Sequence, residues 1–276
     1  MKDKIIVTHH HPDLDALTCI WLIKRFLSGF ASAQVKFVPS GQTYRMVEPD
    51  IDSDILHVDT GLGELDHHQK RAFTSAAKKT LAKVSQSRDL KKLDKEALKR
   101  LVAHVTEIDN GRDIGWPEAE DDRYEFMLHN ILLHSPESQE IWETSLLMID
   151  KIFQNLKNKI HAEKIIHKKG IVFETRFGKS VAILTGNDQI LYIGQKIGYS
   201  LVAKKDKRSG HLRIFGRFDR KVDLRRAFKV FQKKDPKASW YLHQSRCLII
   251  NSSKTNLGMK ATKLSLPEII EILKKA

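Results

Sequence analysis

At 276 residues, 41% of them hydrophobic, the chain can bury a sizeable core and has room for two domains, which excludes a disordered segment and a disulfide-stapled mini-protein. Forty-eight Lys and Arg against 34 Asp and Glu give a formal net charge of +14 and a pI near 9.6, with the excess downstream of residue 150 in runs such as Lys204 to Arg208 and Arg217 to Arg226. That bias favours a polyanionic partner such as nucleic acid. Two cysteines, Cys19 and Cys247, sit in apolar surroundings without metal-type or redox spacing. No secretory leader is evident and no run reaches the roughly 20 apolar residues of a membrane span, so the expectation is a soluble, cytoplasmic protein with no membrane partner.

In chain order, Lys4 to Thr8 reads as a short apolar strand and Asp15 to Leu27 as a largely buried helix. Gln34 to Val38 alternates as a second strand, and Asp54 to Asp59 forms a third that ends on an aspartate. This is the signature of an α/β unit with a mainly parallel sheet. From Ser75 the pattern turns helical, with a polar break at Ser85 to Lys92. A helix opened by Asp94 then carries Leu98, Leu101, Val102 and Val105 on one face, and Asp109 lies just past it.

Ser135-Pro136 predicts an N-cap and first helical position, from which a helix of about thirty residues runs through Ile149, Phe153 and Ile160 towards Gly170. Such a length predicts a connecting rod over residues 135–169, between a first domain at 1–134 and a second at 170–276. Strands at Ile171 to Thr175, Val181 to Leu184, Tyr199 to Ala203, Leu212 to Phe215 and Cys247 to Ile250, with a helix near Val222 to Phe231, predict a smaller α+β domain. Phe215, Phe218, Phe228 and Phe231 are assigned to its core.

Four clusters in the first 109 residues carry the chemistry: His9-His10-His11-Pro12-Asp13-Leu14-Asp15, then Asp59, then Asp66-His67-His68, then Asp109. Ligands collect at the carboxyl ends of strands in such sheets, which is where His9, Asp13 and Asp59 fall. Asp13 and Asp15, one residue apart in a turn stiffened by Pro12, can address two neighbouring ions, with His9 in reach of the ion that Asp13 binds. Asp59 can bridge both, and His67 with Asp109 would complete the second. Mixed imidazole and carboxylate donors favour two Mn²⁺, with Co²⁺, Fe²⁺ or Zn²⁺ as alternatives, because Mg²⁺ rarely takes imidazole. His10, His104, His129 and His134 are assigned ordinary surface or packing roles.

The motifs His9-x-x-Pro12-Asp13-x-Asp15-Ala16, Val58-Asp59, Asp66-His67-His68 and Ile108-Asp109-Asn110-Gly111 resemble, in order and spacing, those of the DHH phosphoesterase superfamily, over roughly the first 115 residues. Leu65 to Gln69 and Glu107 to Gly111 are most similar to the branch containing the eukaryotic nuclear and mitochondrial RNA exonuclease. The resemblance implies that His9, Asp13 and Asp59 hold one ion, and Asp15, Asp59, His67 and Asp109 the other. It also implies that His68 contacts the scissile phosphate and that Asp66 supports the site from behind.

DHH nucleases usually carry a glycine-rich run ending in histidine in their second domain, and none occurs here. The nearest equivalents are Ser239 to Ser245 and Asn251 to Lys254, with Arg213 and Arg217 on or beside the preceding strand. Arg217, His243, Ser245, Asn251 and Lys254 are therefore the candidate substrate-binding residues, and Trp240 and Tyr241 the candidates for stacking on a base. The expected function is metal-dependent phosphodiester hydrolysis, as an exonuclease on single-stranded RNA, DNA or short oligonucleotides, with water activated between two ions. The alternatives are a small-molecule phosphohydrolase acting on a dinucleotide or cyclic dinucleotide, and an inactive nucleic-acid-binding protein.

Overall fold

An Ile-Ile-Val run fits the middle of a sheet covered on both faces. In the computed structural model, which describes residues 4–69, 71–136, 138–251 and 258–275, β1 (Ile5–His9) is the central strand of a three-stranded sheet. It pairs in parallel with β2 (Gln34–Val38) and with β3 (Ile55–His57). Ile6 and Val7 are fully buried. The third strand stops at His57, short of the expected Asp59, because Asp59 has φ +53° and a left-handed residue cannot continue a ladder. Val58 makes only an isolated bridge to Leu65.

The chain divides into two compact units, Met1–Lys157 and Asn158–Ala276. In the first, α1 (Leu14–Phe26) is buried along most of its length, and the Asp13 carboxylate caps it by accepting the Ala16 N–H at 2.9 Å. Helix α2 (Ala76–Ser87) is capped by Ser75, and α3 (Lys92–Asp109) turns Leu98, Leu101, Val102 and Val105 inward. Asp94 lies inside the first turn of α3, where its charge suits the helix dipole, and Asp109 is the last helical residue, not one beyond it. Trp21, Phe26 and Phe153 meet edge to face with centroids 5.3–5.7 Å apart. Such pairs add about 0.5–1.5 kcal/mol each beyond area burial.

The long helix begins later than Ser135-Pro136 predicts. Ser135 follows α4 (Leu128–Leu133), and its hydroxyl donates to the Ile131 carbonyl at 2.6 Å. Ser138 instead caps α5 (Gln139–Lys169), its hydroxyl accepting the Ile141 N–H at 3.2 Å. The boundary between the two units falls within α5.

The second unit is a six-stranded mixed sheet in the order β4-β5-β6-β7-β9-β8, formed by β4 (Ile171–Thr175), β5 (Gly178–Leu184), β6 (Leu201–Lys205), β7 (Leu212–Gly216), β8 (Tyr241–Leu242) and β9 (Leu248–Asn251). Only β5 and β6 run parallel, joined through α6 (Gln189–Lys196). Helices α7 (Arg225–Lys234) and α8 (Leu266–Lys274) complete it, the latter opened by a Ser265–Glu268 capping box. Phe231 is fully buried, with Phe215 and Phe228 packed against the same core. Phe218 is a correction: it is 81% exposed, because it leaves β7 in a single 3-10 turn that left-handed Lys221 closes before the chain returns to the core at Val222. Cys19 and Cys247 are free and buried. Among the described residues no helix is long and apolar enough to cross a membrane.

Candidate metal centre

Strand β1 delivers His9 at its carboxyl end, the next turn delivers Asp13 and Asp15, and the left-handed backbone at Asp59 swings its carboxylate back over the same edge. The loop after Asp59 brings His67 and His68, and the last residue of α3 brings Asp109. His9 Nε2 lies 3.3 Å from Asp59 Oδ2, and His67 Nε2 lies 3.3 Å from Asp59 Oδ1, 3.6 Å from Asp109 Oδ2 and 3.9 Å from Asp15 Oδ2. Three groups therefore have donor atoms close enough to surround one ion: His9, Asp13 and Asp59; Asp15, His67 and Asp109; and Asp59, His67 and His68. Asp59 belongs to two of them.

Neighbouring groups fix these side chains in orientation. The Nδ1–H of His9 donates to the His10 carbonyl at 2.7 Å, which turns Nε2 towards Asp59. Asp15 accepts the N–H groups of Ala76 and Ala77 at 2.7 and 2.9 Å, so it is held by the amino end of α2. Buried Asp66 accepts the Leu62 and His68 N–H groups, and its Oδ1 lies 2.7 Å from His68 Nδ1. That arrangement engages Nδ1 of half-exposed His68 and leaves Nε2 outside the bond to Asp66. After Asp109 the chain reverses through Gly111 at φ +65°, a conformation natural to glycine.

The donor set suits divalent cations on an independent count. Asp59 Oδ1 and His67 Nε2 are buried and neither makes a hydrogen bond, although polar atoms at such depth are normally paired. The electrostatics agree. Burial draws the His9 imidazole down, but the hydrogen bond to Asp59 and the Asp59 and Asp13 charges outweigh it and raise it to about 9. His67, held by Asp59 and facing Asp109, also rises to about 9 against the burial effect. Burial would raise Asp59, yet the two imidazoles bring it down to about 2. Burial lifts Asp109 to about 6, with Asp59 and Asp13 adding to it against His67. Asp15 rises through burial and the nearby Asp59 and Asp109 charges. Crowded carboxylates partly neutralised by protonated imidazoles form a centre in which protons occupy positions a metal ion could take.

On its carboxylate side the centre opens into a pocket of about 390 Å³, where Asp13, Asp15 and Asp109 face Leu17, Val105 and Trp142. The five residues expected to bind substrate belong to the second unit. Asn251 is fully buried; it donates to the Ser239 and Lys260 carbonyls and accepts the Thr262 N–H at 2.6 Å, so three bonds of its amide tie β9 to neighbouring chain. Arg217 is clasped by Asp219, with Nε to Oδ1 at 2.9 Å, which removes the open fork that a phosphate needs. His243 and Ser245 bond to each other at 2.8 Å on the exposed side of a turn. Lys254 lies outside the described residues. Trp240 stacks on Phe231 at 4.8 Å and donates to the Asp235 carbonyl, which closes it as a base platform, whereas Tyr241 is 47% exposed.

The fold and site define an α/β protein with a histidine–carboxylate cluster at the carboxyl edge of a parallel sheet. The chain belongs to the family of the ChrB C-terminal domain, whose model matches residues 6–156, just over half its length. No curated protein matches it. Among solved structures it is similar to a DHH domain described as a member of a family of ribosomal proteins, at 12% identity over 99% of this chain and 86% of that one, with a TM-score of 0.34. It is similar to an uncharacterized protein from Helicobacter pylori, at 14% identity over 99% of both chains and a TM-score of 0.29. It is also similar to RecJ from Thermus thermophilus in complex with Mg²⁺, at 10% identity and a TM-score of 0.33, with 99% of this chain covering 49% of that one. At such scores these likenesses add nothing to what the site's own geometry says.

Proposed function

We propose that the chain is a divalent-metal-dependent phosphoesterase of the DHH type, acting on phosphodiesters of single-stranded RNA, DNA or short oligonucleotides, with His9, Asp13, Asp15, Asp59, His67 and Asp109 holding two ions and Mn²⁺ the preferred metal. The observation that carries this reading is the convergence of three donor groups, two sharing Asp59 and two sharing His67, with Asp59 Oδ1 and His67 Nε2 buried 3.3 Å apart without a hydrogen bond. Bound ions would supply Lewis acidity and an acidified water. The chain's own part is positioning. Asp66 accepts the Nδ1–H of His68 and fixes the ring, so that in the imidazolium form its outer nitrogen can donate to a phosphate oxygen as negative charge accumulates. Asp15, anchored on α2, and His9, anchored on its neighbour's carbonyl, hold the donors in place before substrate arrives.

The pocket of Leu17, Val105 and Trp142 supports an organic phosphoester over inorganic pyrophosphate, since it offers apolar surface beside the carboxylates. It also favours a second reading, a phosphohydrolase of dinucleotides or cyclic dinucleotides. A length series of single-stranded oligonucleotides with Mn²⁺, Mg²⁺ or chelator tests both. Cleavage that rises with length and needs Mn²⁺ is expected; cleavage confined to dinucleotides selects the second reading, and undiminished activity in chelator overturns both.

A further inference from the structure

A second pocket, open and cationic, shares His67 and His68 with the metal centre. It has a volume of about 470 Å³ and is also lined by Arg71, Phe73, Asn110 and Arg112. Arg112 enters because Gly111 reverses the chain after Asp109, and its guanidinium lies 3.6 Å over the Phe73 ring. Stacking fixes the plane of the guanidinium without engaging its N–H groups, so the fork stays open for an acceptor in that plane. Arg25, Arg100 and Arg123 of the same unit are paired with Asp150, Glu96 and Glu118. Among the described residues Arg71 and Arg112 have no carboxylate partner.

Two guanidiniums without a carboxylate partner form an anion site beside the metal centre, and the open fork of Arg112 matches a phosphate's oxygens. A phosphate under attack would lie among the carboxylates and imidazoles of the metal centre, which leaves Arg71 and Arg112 for a further anion. We propose that this pocket holds a second phosphate, so that the preferred substrate carries a phosphate next to the scissile one. The proposal rests on the phosphoesterase reading for which group is cleaved, but not for which group is bound.

The test compares kcat/KM on ApA, which has one phosphate, with pApA, which adds a terminal monoester, and ApApA, which adds a diester. The expected result is at least a tenfold preference for pApA or ApApA over ApA, reduced at least fivefold by Arg71→Gln and by Arg112→Gln, mainly through KM. Preference for pApA alone identifies the neighbour as a terminal phosphate; equal preference for both identifies any adjoining phosphate. Calorimetric binding of adenosine 3′,5′-bisphosphate against AMP supplies a readout without turnover, and the intact protein should favour the bisphosphate by tenfold, a margin both variants lose. Arg112→Lys, which keeps the charge and removes the planar fork, should recover only part of it. No preference in the intact protein, or a preference unchanged in both glutamine variants, overturns the proposal. If none of the diesters is cleaved with any divalent metal, the phosphoesterase reading fails while the binding comparison still decides the pocket.

Discussion

The two units differ most in how they carry charge. Residues 1–157 have 21 Lys and Arg against 25 Asp and Glu, whereas residues 158–276 have 27 against 9. In the first unit acidic side chains are gathered at one sheet edge, and all three candidate ion-holding groups among the described residues lie there. In the second the basic side chains are spread along exposed surfaces, as on α7, where Arg226, Lys229 and Lys233 face solvent while Ala227 and Phe231 are buried. Net charge therefore hides two opposite designs. A gathered charge is a site for a counter-ion, and a dispersed one attracts a polyion.

The largest expected effect sharpens that contrast. His67→Ala and Asp109→Asn should each lower phosphodiester hydrolysis by at least about a thousandfold and lower bound metal measured on the purified protein, since each removes one proposed ligand. Normal rates in either variant would break the assignment of the centre. Next in size, affinity for a single-stranded oligonucleotide should fall about fiftyfold between 50 and 200 mM salt if about four phosphates are neutralised, at roughly −0.7 of log-log slope for each. Reversing Arg226, Lys229 and Lys233 to Glu together should flatten that slope. A slope shallower than about −1 in the unaltered chain would mean that the dispersed charge meets no polyanion.

A smaller effect separates structural from functional polarity in the second unit. Asn251→Leu should cost about 1–3 kcal/mol of stability by chemical denaturation, because buried partners lose their bonds. Oligonucleotide affinity per folded molecule should not change. The smallest effect is in pH. In the metal-free protein His9 and His67 sit near 9, above the 6.5 of a free imidazole, so the stability they confer is complete below 6.5 and lost as pH rises through 9. Asp109, raised from 3.8 to about 6, adds a penalty that builds between those two values and is complete above 6. The first unit should therefore weaken as pH rises from about 4 to about 9, through Asp109 first and the two imidazoles after it. In the second, burial would raise Asp206 and Asp235, yet their hydrogen bonds lower both, and the Arg225 side chain lowers Asp223 to about 2. Through these carboxylates, stability there should fall in acid, as pH drops through the lowered values. Hydrogen exchange in β1 and in β7, corrected for intrinsic rate, would measure both trends, and parallel trends would refute the difference.

What the sequence disclosed follows the same division. Ile5-Ile6-Val7 and the alternation from Gln34 to Val38 were sufficient for β1 and β2, and the clusters around His9, Asp59, His67 and Asp109 were legible because they lie at or just past the ends of local elements. The start of α5 was not, since Ser135 and Ser138 are equally good caps on paper and only α4 decides which hydroxyl is engaged. The bonds of Asn251 to Thr262 are set by tertiary geometry, which composition does not encode, whereas the Asp219 clasp on Arg217 and the turn at Lys221 that carries Phe218 outward are local, two and three residues away. Helix α8 was legible and overlooked, with Ser265 and Glu268 at capping-box spacing. Arg71 and Arg112, each three residues after a site residue, carried a signal only in that spacing.

The left-handed backbone at Asp59 shapes how this chain can drift in evolution. Most side chains at φ +53° pay about 1–2 kcal/mol, but asparagine tolerates that region nearly as well as aspartate and is one nucleotide away. Asp59→Asn is then the substitution by which a descendant could lose the charge shared by two ion-holding groups and still accumulate as folded protein, whereas Asp59→Val would be cleared by cellular proteolysis. In a library of all substitutions at this position, scored separately for abundance and for hydrolysis, Asp59→Asn and Asp59→Gly should stand out as abundant and silent.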